Sequence, residues 1–238
     1  MDHAAIIRQY LRDRQDEEFV AESFPFVTIS RQSGAGGHAV GREILRKLDS
    51  LKAGSLSEGW EMFDHKLCLL IAEDKSLGVS FNELLEEKYR SEIGLVVTEL
   101  LEQRSRRYEL YKRIFEIVRM LAMLGKCVIV GRGGMCIAGD LPLGLHIRLV
   151  APEKIRITRI MELYELDRDA AIQKLKEQDR DRHRFIHDFF GKDSDDPLLY
   201  DAIYNTERLT MSEIAESVAR LALQKMERFK KSSLFPKA

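Results

Sequence analysis

The chain is poor in the features that usually classify a sequence at first sight. Its three cysteines, Cys68, Cys127 and Cys136, stand singly in apolar segments without CxxC or Cys/His spacing. That excludes a disulfide framework and a zinc ribbon and predicts buried thiols in a reducing compartment. No charge sign dominates: Lys+Arg 38 against Asp+Glu 39 leaves a formal net charge of -1. No global field therefore draws the protein onto nucleic acid or an anionic membrane, and any anion site must be local. A long uninterrupted apolar run is also missing. The most apolar stretch, "IFEIVRMLAML", is broken by Glu116 and Arg119, and no basic segment followed by an apolar one opens the chain. Neither a membrane span nor a signal peptide is expected, so the protein is expected in the cytoplasm.

What is present is a regular alternation. With 45% hydrophobic and 32% charged residues in 238, the chain reads as one large globular domain with a sizeable core. "FVTIS" (26–30), "WEMFD" (60–64), "KCVIVG" (126–131), "LGLHIRLVA" (143–151) and "YDAIYN" (200–205) are strand candidates. Between them lie amphipathic helical segments, including the intensely charged "RDAAIQKLKEQDRDRHRFIHDFF". The last helix opens with Thr210 and Glu213 spaced as a capping box. Strands alternating with helices predict an α/β fold with a parallel sheet flanked by helices. Residues 1–22 read as an N-terminal helical extension that docks on the domain or on a partner, 23–228 as the domain, and 229–238 as a polar tail. Within the domain, 76–124 is a mostly helical region.

The first strand runs into a glycine-rich turn and then a helix: "FVTISRQSGAGGHAVGREILRKL". Ser33, Gly34, Ala35, Gly36, Gly37, His38 and Ala39 occupy the turn and the first helical residues. In a doubly wound sheet this turn lies beyond the carboxyl ends of the strands, where successive amides can converge on a phosphate. A tight turn packed for helix–strand contact is the other reading, and spacing alone does not choose. Asp64 ends a strand, within reach of the same crevice or as a helix cap. Arg132 ends another, where a guanidinium fork matches a phosphate. On the charged helix Arg180 and Arg184, four apart, share a face and Arg182 points roughly opposite. Phe185, Phe189 and Phe190 read as packing residues.

Four segments, "ISRQSGAGGHAVG", "MFDHKLCLLIAE", "VIVGRGG" and "KEQDRDRHR" followed by "DAIYNTERLTMSEIAE", resemble the cytidylate kinase-like proteins of the P-loop nucleoside monophosphate kinase group. The resemblance implies a P-loop NTPase-like fold of the nucleoside monophosphate kinase type, with residues 76–124 as the nucleoside monophosphate-binding insertion and 166–192 as a lid-like helix. It implies ATP held by Ser33–Ala39 and Arg159, with Mg²⁺ bound through phosphates and water and no dedicated protein metal site. It also implies a monophosphate such as CMP or dCMP held by Asp64, Arg132, Asp181 and Arg184. Asn205 and Thr206 fall near the donor base in the family pattern, and Arg156 and Arg159 flank the adenine or are simply exposed.

The departures are as informative. Against the "GxSGxGKGT" loop of typical cytidylate kinases, Arg31 stands for the first glycine, Gly37 for the lysine, and His38 and Ala39 for Gly-Thr. His65 follows Asp64 where serine or threonine is usual, Gly133 replaces an aspartate, and Glu177 an arginine. A phosphoryl-transfer site must neutralise charge on the transferring group, so the cation is expected from Arg31, Arg132, Arg180 and Arg184, with Asp64 beside them and His38 as a weaker donor. Nucleotides are the expected partners, nucleic acid and membrane are not, and the helical region offers a homodimer surface. The alternative is a catalytically weak or inactive nucleotide-binding protein, a sensor or scaffold, because the loop lysine and threonine are missing.

Overall fold

The computed structural model describes residues 3–16, 24–51, 54, 57–74, 93–98 and 106–234. Five strands form one sheet: β1 (Phe26–Arg31), β2 (Glu61–Phe63), β3 (Cys127–Val130), β4 (Gly144–Val150) and β5 (Ala202–Asn205). Their spatial order is β2-β3-β1-β4-β5 and every pairing is parallel, with Val27 opposite Val128 on one side and Leu145 on the other. This is the parallel α/β sheet that the alternation predicts. β1 is central, with β3 and β4 as its two neighbours, so the strand order reverses there. A crevice for ligand opens beyond the carboxyl ends at such a point.

Helices cover both faces because the strands are apolar on both. On one side α2 (Gly37–Ser50) and α8 (Met211–Leu234) pack on Val27, Ile29, Val128, Val130, Ile147 and Leu149. On the other, α1 (His3–Asp16), α3 (His65–Glu73) and α4 (Arg106–Leu124) pack on Phe26, Phe63, Cys127 and Ile129. Neighbours along each strand thus point to opposite cores. Each buried Val, Leu or Ile contributes about 1.5–3 kcal/mol, and truncating Ile129 to Ala would cost about 2–5 kcal/mol. α5 (Gly134–Ile137) is a single turn after β3; α6 (Glu153–Tyr164) follows β4, and α7 (Arg168–Phe190) packs on α6.

α1 docks on the domain through Ile7, Tyr10 and Leu11; the Tyr10 hydroxyl donates to the Gly125 carbonyl at 2.8 Å, and its ring meets Phe63 edge-on at 5.0 Å. Within the expected helical region, 93–98 and α4 are helical, while 75–92 and 99–105 lie outside the described residues. α8 continues to Leu234, into the stretch expected as a tail. Its capping box is present: Glu213 N–H donates to Thr210 Oγ1 at 3.2 Å and Thr210 N–H to Glu213 Oε2 at 2.8 Å. The cysteines are buried thiols, Cys68 pushed up to about 12 and Cys136 to about 11 by burial. No helix among the described residues is long and apolar enough to cross a membrane.

Candidate active site

The turn after β1 is left-handed at Gly34 (φ 75) and Gly36 (φ 85), which only glycine adopts without strain. Gly36 is the N-cap of α2 and carries no side chain to accept from the first-turn amides; no acidic residue lies in that turn either. Among the described residues the helix therefore begins with free N–H donors and an uncompensated positive dipole end, the local requirement for an anion site.

The loop is braced from behind by two arginines of α6. Arg156 is buried; its Nε donates to the Ala151 carbonyl at 3.0 Å, and its Nη1 to the Ser33 carbonyl at 3.2 Å and to Asp179 Oδ2 at 2.5 Å. Arg159 donates to the Gly34 carbonyl at 3.3 Å and to Thr206 through Oγ1 and the carbonyl, both at 2.8 Å. Neither is free at the surface, and Arg159, expected to contact the nucleotide, is committed to loop and turn. Asn205 is likewise a turn residue, accepting from Glu207 N–H at 3.0 Å. α7 closes the outer rim: Asp179 Oδ1 accepts the Ser33 N–H at 2.6 Å, and Ser33 Oγ donates to Gln178.

Across the crevice stand three more arginines. Arg31, the last residue of β1, lies between Gly37 and Gly131, touching the Cβ space of both. Arg132 sits in a left-handed conformation (φ 60) between Gly131 (φ 85) and Gly133 (φ 68). Such a conformation costs a non-glycine residue about 1–3 kcal/mol and gathers at functional sites. Arg182 comes from α7; its Nη1 is buried without a hydrogen-bond partner, 3.7 Å from Asp179 Oδ1. Burial, with Arg182 and Arg132 adding repulsion, pushes Arg31 down to about 9; Arg132 and Arg182 are also lowered, chiefly by burial. Like charges desolvated side by side favour an anion between them. They line a cavity of about 280 Å³ together with Ser30, Asp181 and Phe185.

Of the expected cluster on α7, Arg180 and Arg184 are both exposed and do not line the cavity, whereas Arg182 does. The spacing is as expected and the facing is reversed. The buried stripe Ala171, Leu175, Ile186, with Asp179, Arg182 and Phe185 half-buried between, sets the inward side. Extending that apolar stripe through the charged stretch was the signal available in the sequence. Asp181, expected on the acceptor, does line the cavity.

Asp64 caps α3, accepting from Lys66 N–H at 2.9 Å and Leu67 N–H at 3.1 Å, and its Oδ2 meets His38 Nε2 at 3.2 Å. The His38 hydrogen bond, then the backbone donors, hold its carboxyl well below the usual range. Asp64 thus fills the cap role, and its contact with His38, which the sequence did not suggest, ties the first turn of α2 to the start of α3. Ala39 offers no hydroxyl toward a magnesium ion; a Mg²⁺ at the loop would be held through the donor's phosphates and water, with the Asp64 carboxylate, beside His38, the nearby protein oxygen. Elsewhere His183, Asp193 and Asp195 have ligand spacing, but all are exposed and Asp195 pairs with Arg148. That pair was not anticipated from the sequence: Arg148 and Tyr200 both donate to Ser30 Oγ, at 3.2 Å each, and fix it at the cavity wall.

A sequence profile of the cytidylate kinase-like family matches residues 26–208, the span that carries the sheet, the loop and the arginines. The chain belongs to that family. Among solved structures, an uncharacterized protein from Eubacterium ventriosum is similar over 83% of this chain and 98% of its own, at 17% identity and a TM-score of 0.58, a likeness of fold. Shikimate kinase from Bacteroides thetaiotaomicron aligns over 87% of this chain and 98% of its own, at 14% identity and a TM-score of 0.41, too distant to carry an argument. A uronate isomerase from Corynebacterium glutamicum is 29% identical over 98 residues, 41% of this chain, and the chain spans 19% of that relative's length.

Within the cytidylate kinase-like family the departure at Gly133 has a physical cause. An ideal Cβ at Gly133 would lie 2.6 Å from Phe190 Cε2, and the left-handed backbone disfavours any side chain. Phe190 stacks on Phe115 at 5.3 Å, within a cluster that includes Tyr111, Phe185 and Phe189. These rings are packing residues, as expected, and they close the space an aspartate at 133 would need.

Proposed function

We propose that the protein is a phosphotransferase of the nucleoside monophosphate kinase type, moving the γ-phosphoryl group of ATP to an anionic acceptor, with cytidylate or deoxycytidylate the first to test. One observation carries the reading: three guanidiniums, Arg31, Arg132 and Arg182, face a cavity beside an uncapped helix N-terminus, with Asp181 beside them. Phosphoryl transfer asks for little else than positioning and charge neutralisation. The amides from Gly36 to Ala39 hold the donor's phosphates, Arg31 neutralises the transferring group, and Arg132 with Asp181 orients the acceptor. α7 acts as the lid that carries Arg182 and excludes water. Mg²⁺, bound through the phosphates, would shield charge on the donor. Phe190 against Gly133 leaves no side chain to read a cytosine at that point, so selection among bases is expected to be loose.

The test is ADP release with ATP across the monophosphates. Turnover with at least one, abolished in Arg132→Ala, supports the reading. A second reading, nucleotide binding without turnover, is favoured by Ala39 in place of a hydroxyl and by the engagement of Asp64 in its cap and with His38. It predicts that ATP raises the melting temperature while no monophosphate yields ADP.

A further inference from the structure

Gly37 is the first residue of α2, and its φ is not among the positive values, so its backbone suits any residue. Glycine there must answer to space. An ideal Cβ at Gly37 would lie 3.1, 3.2 and 3.3 Å from Cγ, Cδ and Nε of Arg31. A side chain beginning at position 37 would press on the stem of Arg31, which would have to give by a few tenths of an ångström. At the far end the same is true of Gly131: its Cβ would lie 3.1 Å from Arg31 Cζ and closer still to Nη1. Arg31 thus runs from the end of β1 through a slot walled by two glycines, one opening α2 and the other ending β3.

We infer that Arg31 is the side-chain cation of the phosphate loop, delivered from the strand rather than from the first turn of the helix, and that Gly37 is glycine because Arg31 crowds its side-chain space. The ligand class is a polyphosphate. Arg31 makes no ion pair with a described residue; the groups that face it are Arg132, Arg182, Asp64 and Tyr164. A residue placed in this slot only to be neutralised would have a carboxylate within ion-pair distance, which Asp64 is not. The role in transfer rests on the phosphotransferase reading; the exchange of positions rests on the packing.

The two positions can be swapped. Gly37→Lys alone crowds the stem of Arg31, and Arg31→Gly alone removes the cation. Each should weaken tripolyphosphate binding by calorimetry roughly tenfold to a hundredfold, the worth of a charge-assisted hydrogen bond. The double variant, Arg31→Gly with Gly37→Lys, restores the usual arrangement and should bind tripolyphosphate better than either single variant. A double variant no better than the poorer single one overturns the inference, even if the wild-type protein turns over. Rescue of binding in a family of variants that releases no ADP upholds the inference and removes the phosphotransferase reading. Should the double variant fail to fold, Arg31→Met keeps the stem in the slot: it must lose tripolyphosphate affinity while holding the wild-type melting temperature, and full affinity overturns the inference.

Discussion

Two sets of arginines flank one loop, and they differ in what they touch. Arg156 and Arg159 lie behind it and spend their donors on carbonyls, on Thr206 and on Asp179. Arg31, Arg132 and Arg182 lie in front of it and face a cavity, with one buried Nη1 atom left unpartnered. The same side chain, a few ångströms apart, is structural where its donors are satisfied and available for a ligand where they are not. Residue type and exposure do not separate the two sets; hydrogen-bond satisfaction does.

The comparison can be broken by mutation. Removing a front arginine should cost function without stability: Arg132→Ala should lower kcat/KM about 100- to 1000-fold, with the melting temperature unchanged or raised as a like charge is removed while the left-handed backbone, which alanine shares, stays as it was. Removing a rear one should do the reverse. Arg156→Ala removes the donor to the Ala151 and Ser33 carbonyls and to Asp179 Oδ2 and should destabilise the protein by about 2–4 kcal/mol in denaturant unfolding. A normal unfolding midpoint in Arg156→Ala would erase the distinction.

On α7 the contrast sharpens to neighbouring residues. Arg182→Ala should cost about tenfold or more in kcat/KM, whereas Arg180→Ala and Arg184→Ala, exposed and turned from the cavity, should change it less than about twofold. Equal losses at all three would return the pair sharing the outer face to the site. The smallest effect is in pH. Burial and the neighbouring guanidiniums lower Arg31 from its ordinary value, yet a guanidinium keeps its charge through the working range. Tripolyphosphate affinity of the wild type should therefore lose nothing between about pH 7 and 9, and a clear loss over that range would sink the assignment.

Much of this is legible in the sequence. The strands at Phe26, Cys127 and Gly144, the glycine turn and the capping box at Thr210 follow from local period and turn chemistry, which act over a few residues. The position of Arg132 at the end of an apolar strand was legible too, and Arg132 lines the cavity. Within its charged middle the direction in which α7 faces was not legible, and only the flanking stripe Ala171, Leu175 and Ile186 pointed to it. Its charged middle carries no apolar residue from Lys176 to Arg184, and helical period says which residues share a face without saying which face points inward. Nor was the engagement of Asp179 with Ser33, a contact across 146 positions.

By itself, then, the chain determined a parallel α/β sheet with a glycine turn at its centre and a deficit of lysine at that turn, since backbone preferences and burial act locally and do not depend on distant partners. Only the folded molecule decided which guanidiniums meet the cavity and which are consumed by carbonyls. A side chain that long reaches several partners, and its role is set by whichever acceptor the tertiary packing brings within about 3 Å.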